Sequence, residues 1–443
     1  MTARDAIGRL FEPGDRPRWQ ADLLLIAKIV LVIYAVFVVF GLVLGLSVNG
    51  VVSTLRRVTF FAAVYALLTL ALNLHWGYTG LFNIGVAGFM AVGVYSMAIL
   101  TASPDASPGG FGLPLWVGVL GGMAAAAVVG LIAALPALRL RADYFAIVTL
   151  GFSEIVRLSL LSASLREFEV AGRELGTGGG SGITFTGTQS IVDWLFYPGG
   201  DRRADPTVVG EFLFGVGDLL GVQSTVVRSG MYTVLLLVCV VALYALLSRI
   251  AYSPFGRVLK AIREDELAAR SLGKPTDRVK IKVFMLGCAL MGLAGMLWQG
   301  GRGFVTPESF MPILTFYVFV ALIVGGSGSN TGSVIGGFVF AAALWEGPPF
   351  VQRIVRANLD ARAPPTIYDA AVELGSLDPL PLLGYAVGNV DQLRFMIVGL
   401  VLILLMLWRP DGLLGHRTET AAATDLSKRP TTAAAADGGE TDE

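Results

Sequence analysis

This sequence predicts an all-α fold, a polytopic transmembrane helical bundle. The prediction rests on its composition and its hydropathy. Of the 443 residues, 54% are hydrophobic and 15% are charged. The mean hydropathy is +0.69, well above the usual value for a soluble globular chain. A helix of about 20 apolar residues crosses the hydrocarbon layer, and irregular backbone is not tolerated against lipid. The long apolar runs therefore predict about 8–10 spanning helices.

Ten apolar segments are the candidate spans. They lie at 23–44, 60–74, 81–100, 115–138, 144–161, 231–248, 283–298, 313–325, 334–345 and 394–408. The third segment and the pair that flanks residues 325–332 are short or interrupted by glycine, so we expect re-entrant or discontinuous helices there. The run that begins at residue 23 is too long for the core of a signal peptide, and we expect it to be a retained first span.

Lysine and arginine predict the orientation, because short cytoplasmic loops are enriched in these residues. Loop 249–282 carries nine of them, whereas the connection 101–114 carries none. We therefore expect loop 249–282 to be cytoplasmic, and with ten spans both termini are cytoplasmic too. Arg56 and Arg57 are the exception, since this arrangement places them outside.

The same arrangement divides the chain into three regions. Residues 1–22 form a cytoplasmic N-terminal segment, residues 23–415 a transmembrane domain, and residues 416–443 a cytoplasmic tail. The tail consists mainly of Ala, Thr, Asp and Glu without periodicity, which predicts disorder. Segments 162–229 and 347–390 are expected to be external loops, and each is long enough to contact a partner.

The charged segment between the sixth and seventh spans, Gly256 to Phe284, is the most informative part of the sequence. Its apolar residues recur at roughly helical spacings: Leu259, Ile262, Leu267 and Leu272. This pattern predicts a short amphipathic helix that docks into a groove of a separate protein. Gly273 allows the left-handed backbone that ends such a helix, and Pro275 enforces the stop. An ordinary solvated loop, whose charges only fix the topology, is the alternative interpretation.

Five motifs, in order along the chain, together resemble one family of membrane proteins. They are GYTGLFNIGVAGFMAVGVY from Gly77, AIREDELAARSLG from Ala261, GFVTPESF from Gly303, VGGSGSNTGSVIGG from Val324 and RPDGLLG from Arg409. They are similar to the early glycine-rich helix, the cytoplasmic coupling motif, an external loop, the late glycine-rich turn and the closing motif of branched-chain amino-acid ABC importer permeases. The resemblance covers roughly residues 70–415 and favours the M-type over the H-type subunit of the permease pair.

The resemblance implies an importer half with the ABC importer permease fold, in the plasma (inner) membrane. The implied partners are a homologous second permease subunit, two ATP-binding cassette subunits, an extracytoplasmic substrate-binding protein and membrane lipid. ATP and Mg would be bound by the ATPase subunits, so we expect this chain to bind no cofactor and not to be an enzyme. The predicted ATPase-coupling residues are Arg263, Glu264, Glu266, Ala268, Ala269 and Gly273.

The substrate path is predicted from five residues: Asn83, Gly85, Glu154, Gly325 and Gly326. Asn83 is either a hydrogen-bond partner for a zwitterion or a link between two helices. Glu154 is ionisable within a span, which is costly enough to indicate function, but Arg157 one turn further on would neutralise it. The stretch around Gly325 lacks the lysine of a phosphate-binding loop, and its small residues favour close helix packing.

Other functional classes fit the sequence less well. The formal net charge is zero, so no basic surface indicates nucleic acid. No catalytic set and no metal-ligand spacing is present in the sequence, which disfavours an enzyme and a metal site. A urea or short-amide importer permease is the nearest alternative, because its motifs are similar. An ion-coupled secondary transporter would show an internal repeat with charges at mid-membrane, and neither is clear.

Overall fold

The structure is a computed structural model that describes residues 18–43, 45–137, 140, 142–170, 172–358, 364–373, 379–409 and 412–414. Most of the predicted N-terminal segment and the whole predicted tail lie outside the described residues. The boundaries predicted for these two regions stay predictions.

The described residues are mainly helical. The helices before the charged segment are α1 Arg18–Val43, α2 Val48–Leu72, α3 Val86–Thr101, α4 Leu115–Ala137, α5 Ala142–Leu161, α6 Ala163–Arg166, α7 Ser190–Phe196, α8 Val208–Leu219 and α9 Ser224–Ala251. The later helices are α10 Pro254–Glu264, α11 Glu266–Ser271, α12 Thr276–Gly300, α13 Pro312–Gly325, α14 Asn330–Val339, α15 Gly347–Asn358, α16 Ile367–Glu373, α17 Leu380–Gly388 and α18 Val390–Trp408. Four short strands, β1 Phe168–Val170, β2 Arg173–Leu175, β3 Ile183–Thr184 and β4 Phe304–Val305, form two antiparallel pairs, β1–β2 and β3–β4.

Ten apolar helices of the described residues coincide with the ten predicted segments. Seven are long enough to cross a membrane: Gln20–Val43, Val48–Gly77, Leu115–Pro136, Asp143–Leu161, Ser224–Ala251, Thr276–Gly300 and Asn330–Arg353. Three are shorter: Val86–Thr101, Pro312–Gly325 and Gln392–Leu405. The most apolar part of α2 is 89% buried, whereas that of α1 is 11% buried. The chain is therefore a multi-pass helical membrane protein with α2 at its centre and α1 at its edge.

Several predicted helix starts are wrong. The sixth span begins at Ser224 and not at residue 231, and the seventh begins at Thr276 and not at residue 283. The second span begins at Val48 and not at residue 60, because Ser47 caps it by accepting the N–H of Gly50 at 3.2 Å. The third begins at Val86 and not at residue 81, since residues 80–85 are not helical. A π-helical turn, Asn73–Gly77, precedes this irregular stretch. The discontinuity that glycine indicated near the third span is confirmed, and we call residues 73–85 the first break.

Glycine allows the central helices to approach each other at backbone distance. A Cβ atom on Gly336 of α14 would lie 2.1 Å from the carbonyl oxygen of Ala321 in α13, and one on Gly325 would lie 2.0 Å from that of Gly332. The close helix approach predicted from small residues in this stretch is confirmed. The turn between the two helices passes through Gly326, whose φ of +104° is unfavourable for residues with a side chain.

Contacts between connecting segments define one end of the bundle, which we call the basic face because it carries loop 249–282. Arg263 in this loop donates a hydrogen bond to the carbonyl oxygen of Gly77. Asn73 Oδ1 accepts the N–H of Gly328 at 2.8 Å, and the N–H of Leu413 donates to Val324 at 2.9 Å. The connections after the second, sixth, eighth and tenth spans therefore lie together.

The connections after the first, third, fifth and seventh spans meet at the other end, which we call the opposite face. Strand β3 of segment 162–229 pairs with β4 of the connection after α12. The N–H of Gln223 donates to Asn49 Oδ1 at 3.0 Å, and Arg173 donates to the carbonyl oxygen of Phe111 at 3.3 Å. Alternation of connections between two ends is the pattern that ten successive crossings produce.

The two arginines that did not fit the orientation rule lie inside α2, towards the opposite face. Arg57 Nη2 lies 2.6 Å from Glu346 Oε2, and the side chain of Glu346 is 7% exposed. Arg353 lies 3.9 Å from the same carboxylate. A buried carboxylate offsets part of this positive charge, which is how ionisable groups are usually tolerated at membrane depth.

Candidate coupling surface and helix breaks

Helix α10 begins the charged segment and docks on its own chain. Ser253 accepts the N–H of Gly256 at 3.2 Å, and Pro254 occupies the first helical position, where its missing N–H is not needed. Leu259 and Ile262 are 0% and 4% exposed and belong to the main hydrophobic core of the protein. Their burial fixes α10 against the bundle.

The single amphipathic helix predicted for this segment is wrong, because the structure contains two helices. Asp265 adopts extended backbone, with φ −154° and ψ 105°, and separates α10 from α11. Its side chain accepts the N–H of Ala268 at 3.0 Å and so caps α11. Two of the four predicted apolar positions are buried with α10, whereas Leu267 and Leu272 are 75% and 80% exposed. The predicted stripe is divided between the protein's own core and its surface.

Glu266 is the centre of an ion-pair group that fixes α11 to the first turns of α12. Lys280 Nζ donates to both carboxylate oxygens, at 2.9 and 3.1 Å. Arg270 lies 3.4 Å from Glu266 and 3.0 Å from Asp277. The side chain of Lys280 is 10% exposed, so salt screens this pair less than an exposed one. Ala269 is 3% exposed, and α11 is held as a platform for Leu267 and for Leu272, which directly follows its last residue.

The chain leaves α11 through a left-handed turn, as predicted. Gly273 has a φ of +74°, and its N–H donates to the carbonyl oxygen of Arg270 at 2.9 Å. Pro275 then precedes the first residue of α12. Only glycine adopts this backbone without strain, so the relative position of α11 and α12 depends on it.

Arg263 connects α10 with the first break. One of its guanidinium nitrogens donates to the carbonyl oxygen of Gly77, which lies in the π-helical turn. Its other neighbour is Glu264, at 3.9 Å, whose side chain is 54% exposed. The hydrogen bond from Arg263 to Gly77 links α10 to the end of the second span.

Asn83 and Gly85 lie in the first break and bind each other. Asn83 is fully buried; its Oδ1 accepts the N–H of Gly85 at 2.9 Å, and its Nδ2 lies 3.2 Å from His75 Nδ1. His75 Nε2 lies 3.1 Å from the carbonyl oxygen of Phe284 in α12. With Nδ1 accepting from the amide, His75 donates from Nε2 and links the break to α12.

His75 was missed as a structural residue of this site, because a lone histidine eight residues before Asn83 has no motif spacing. It could have been found as a polar group in an otherwise apolar span. Thr149 of α5 was missed too. Its hydroxyl accepts the N–H of Ile84 at 3.0 Å, which satisfies a backbone group at the start of α3.

Glu154 lies on α5 and pairs with Arg157 of the same helix. The pair has two hydrogen bonds, at 2.5 and 2.8 Å, and the side chains are 33% and 16% exposed respectively. Neighbouring residues of α5 contact the first break and α3, through Thr149 and Ser153. Glu154 therefore pairs with a residue of its own helix, whereas Asn83 and Gly85 bind each other in the first break.

Gly325 and Gly326 lie in a second break, residues 325–330, which is adjacent to the first. Asn73 joins the two breaks, since its Oδ1 accepts the N–H of Gly328 and its Nδ2 donates to Asn330 Oδ1 at 3.2 Å. Asn330 in turn donates to Ser248 Oγ of α9 at 3.2 Å. Four of the five predicted path residues are therefore in two joined breaks. The breaks lie close to the charged segment, residues 256–284, which we call the coupling segment because it carries the predicted coupling residues.

A cleft of about 240 Å³ opens where the coupling segment meets the first break. Its lining consists of Thr79, Gly80, Leu81, Phe82, Leu140, Phe145, Ile262, Arg263, Glu266 and Lys280. Two of the predicted coupling residues are among them, so the cleft and the coupling segment share side chains.

Comparison with known proteins agrees with this architecture. The family model described as "branched-chain amino acid transport system / permease component" matches residues 54–352. The chain is 31% identical over 353 residues to the high-affinity branched-chain amino acid transport system permease protein LivM of Escherichia coli (strain K12), an alignment that covers 79% of this chain and 68% of the relative. It is 23% identical over 381 residues to a probable LivM protein of Methanocaldococcus jannaschii, covering 83% and 94%.

Similarity to the LivH proteins is shorter. The LivH protein of Escherichia coli (strain K12) is 37% identical over 114 residues, which is 26% of this chain and 36% of the relative. No solved structure matches the chain. The longer alignments to LivM proteins agree with the prediction of an M-type subunit. The family match covers more than half of the sequence, and this chain belongs to the family of permease components of branched-chain amino acid transport systems.

Proposed function

We propose that this chain is the M-type permease subunit of an ATP-driven importer for leucine, isoleucine and valine in the plasma (inner) membrane. The relatives named above are permeases of branched-chain amino acid transport systems. The observation that carries the coupling part of the proposal is a pair of exposed leucines, Leu267 on α11 and Leu272 directly after it, where ion pairs fix the helix. An exposed apolar pair on a rigid platform suits a protein partner.

The platform offers two routes from an ATPase subunit to the spans. The Glu266–Lys280 pair connects α11 with α12, and Arg263 connects α10 with the first break. Closure of the ATPase subunits would push on α11, and both connections would pass this displacement to the bundle. Such rigid-body motion suits a switch between outward-open and inward-open states.

The proposed assembly contains a homologous second permease, two ATP-binding cassette subunits that hold ATP and Mg, and an extracytoplasmic substrate-binding protein. The ATPase subunits would bind the basic face, which would be cytoplasmic together with both termini. The binding protein would dock on the opposite face, where segment 162–229 forms short helices and the β1–β2 pair. Lipid would surround the exposed apolar helices, and this chain would itself hydrolyse no ATP.

Uptake by the reconstituted assembly tests the proposed function. Proteoliposomes that contain both permeases and both ATPase subunits, with the binding protein outside and ATP inside, should accumulate labelled leucine, isoleucine and valine. Accumulation should require ATP and all subunits. Uptake of urea or acetamide without leucine would replace the substrate class by the nearest alternative. Uptake by this chain alone, driven by an ion gradient, would indicate a secondary transporter instead.

Cysteine accessibility tests the proposed orientation. The native Cys239 and Cys288 lie in spanning helices and are first replaced by alanine. A cysteine at the exposed Leu267 should react with an impermeant maleimide only after the membrane is opened. A cysteine at the exposed Trp194, on the opposite face, should react in intact cells. The reversed labelling pattern would contradict the proposed orientation and with it the ATPase contact.

A further inference from the structure

The cleft beside the coupling segment has two walls of different chemistry. One wall is apolar and mostly buried: Leu81, Phe145 and Ile262 are 7%, 3% and 4% exposed, and Phe82 extends it. Leu140, at 43% exposure, stands at the rim. The wall therefore offers a sheltered aliphatic and aromatic surface.

The other wall carries charges of both signs. Arg263 and Lys280 are cationic, and Glu266 is anionic; their side chains are 26%, 10% and 34% exposed. Lys280 has three donors, and both of its hydrogen bonds within the described residues go to Glu266. Glu266 Oε1 accepts from Lys280 and Arg270, whereas Oε2 accepts from Lys280 and has a second acceptor site. Donors and acceptors thus stand side by side at the edge of an apolar wall.

This combination suits a small zwitterion with an aliphatic side chain. A carboxylate would be attracted to Lys280 and Arg263, an ammonium group to Glu266, and the side chain would pack on Leu81 and Phe145. Charge-assisted hydrogen bonds are about twice as strong as neutral ones, and apolar burial adds to them. A ligand with only one of the two charges would make only one of these two attractions. The cleft is smaller than the roughly 300–1,000 Å³ of pockets for drug-sized ligands, which suits a single amino acid.

We propose that this cleft binds an already imported branched-chain amino acid from the cytoplasm and that its occupancy slows further import. The inference rests on the proposed function, because it takes the cargo and the cytoplasmic side from it. The occupant would bridge the coupling segment at Arg263 and Lys280 to the first break at residues 79–82. Motion between these two elements would deform the cleft, so the ligand favours the state in which the cleft exists. The importer would thereby sense its own product.

Luminal leucine tests the inference in the proteoliposomes described above. With leucine enclosed in the lumen, we expect the initial rate of labelled leucine uptake to fall by about fivefold or more, the lower range for coupled sites. The ATPase rate should fall in parallel. Luminal isocaproate, which lacks the ammonium group, and isoamylamine, which lacks the carboxylate, should leave both rates unchanged.

A matched pair of variants separates this cleft from the transport path. Leu140→Trp places a larger side chain at the rim, and Leu140 is neither a predicted coupling residue nor a predicted path residue, so uptake with an empty lumen should be normal while luminal leucine no longer inhibits. Leu135→Trp, at an exposed position of α4, should keep normal inhibition. Inhibition that persists unchanged in Leu140→Trp would overturn the inference, as would a wild-type rate that does not respond to luminal leucine.

A direct binding measurement distinguishes failure of this inference from failure of the proposed function. Calorimetric titration of leucine into the purified permease–ATPase complex, without the binding protein, should show binding that Leu140→Trp removes and Leu135→Trp retains. Binding with this pattern supports the cleft even if uptake of another substrate is found. Absence of binding in the wild-type complex overturns the inference and leaves the transport assignment to the empty-lumen assay.

Discussion

Glu266→Lys is expected to abolish ATP-dependent uptake while the chain still inserts in the membrane. The change replaces the carboxylate that receives two hydrogen bonds from Lys280 and places a second cation beside Arg270. Removing one partner of a buried pair costs about 3–5 kcal/mol, and less here because Glu266 is about one-third exposed. The loss of stabilisation is confined to the contact between α11 and α12. We therefore expect the coupling to the ATPase subunits to be lost while the chain still folds. Vesicle uptake and ATPase co-purification measure the outcome.

Two further variants show whether the effect comes from the pair itself. Glu169→Lys makes the same change at an exposed site on the opposite face, away from the proposed ATPase contact, and should leave ATPase co-purification normal. The double variant Glu266→Lys with Lys280→Glu restores opposite charges across the joint and should recover part of the uptake. Normal uptake in the Glu266→Lys single variant would count against coupling through this platform.

Gly336→Leu is expected to prevent stable folding. The three nearest atoms to the added Cβ outside its own helix backbone all belong to backbone: the Ala321 oxygen at 2.1 Å, and the nitrogen and Cα of Gly325 at 2.8 and 2.9 Å. Backbone cannot rotate away as a side chain can, so α13 and α14 must separate. Overpacking a core typically costs about 1–3 kcal/mol, and we expect a cost at the upper end or beyond. The thermal unfolding midpoint and the monodispersity of the purified chain in detergent report it.

Gly399→Leu is the matched control, since it makes the same change in another apolar helix, α18. Apart from the backbone of its own helix and its chain neighbours, no atom of the described part of the chain lies within 4 Å of a Cβ at that position. Its midpoint should stay within the small range typical of surface substitutions. Equal destabilisation by both variants would show that added volume, and not the α13–α14 contact, causes the loss.

The spans were predictable because hydropathy is a local property. All ten apolar segments correspond to apolar helices of the structure, and the glycine-rich sequence indicated the break before α3. The exact starts were not predictable. Val48 begins α2 because Ser47 caps it, and Arg57 can lie inside that helix because Glu346, 289 positions away in sequence, neutralises it. A hydropathy window of about 20 residues does not include a partner so far away in the sequence.

Among the predicted coupling residues too, the sequence predicted some features and not others. Sequence placed Gly273 at a left-handed turn, and its φ of +74° agrees, because that requirement depends on the backbone alone. The direction of the four apolar side chains was not decided by their spacing. Asp265 interrupts the helix, so Leu267 and Leu272 point away from the core that buries the other two.

The sequence by itself determined that this is a multi-pass helical membrane protein, where its apolar segments lie, and through its motifs to which family it belongs. Apolar length, glycine positions and charge content are properties of consecutive residues. They decide directly which segments span the bilayer and in which orientation. Only the tertiary structure decided that Asn73 joins two helix breaks, that Lys280 holds Glu266, and that a two-walled cleft opens beside them. These features depend on which distant side chains packing brings within a few ångströms, and no local pattern specifies that.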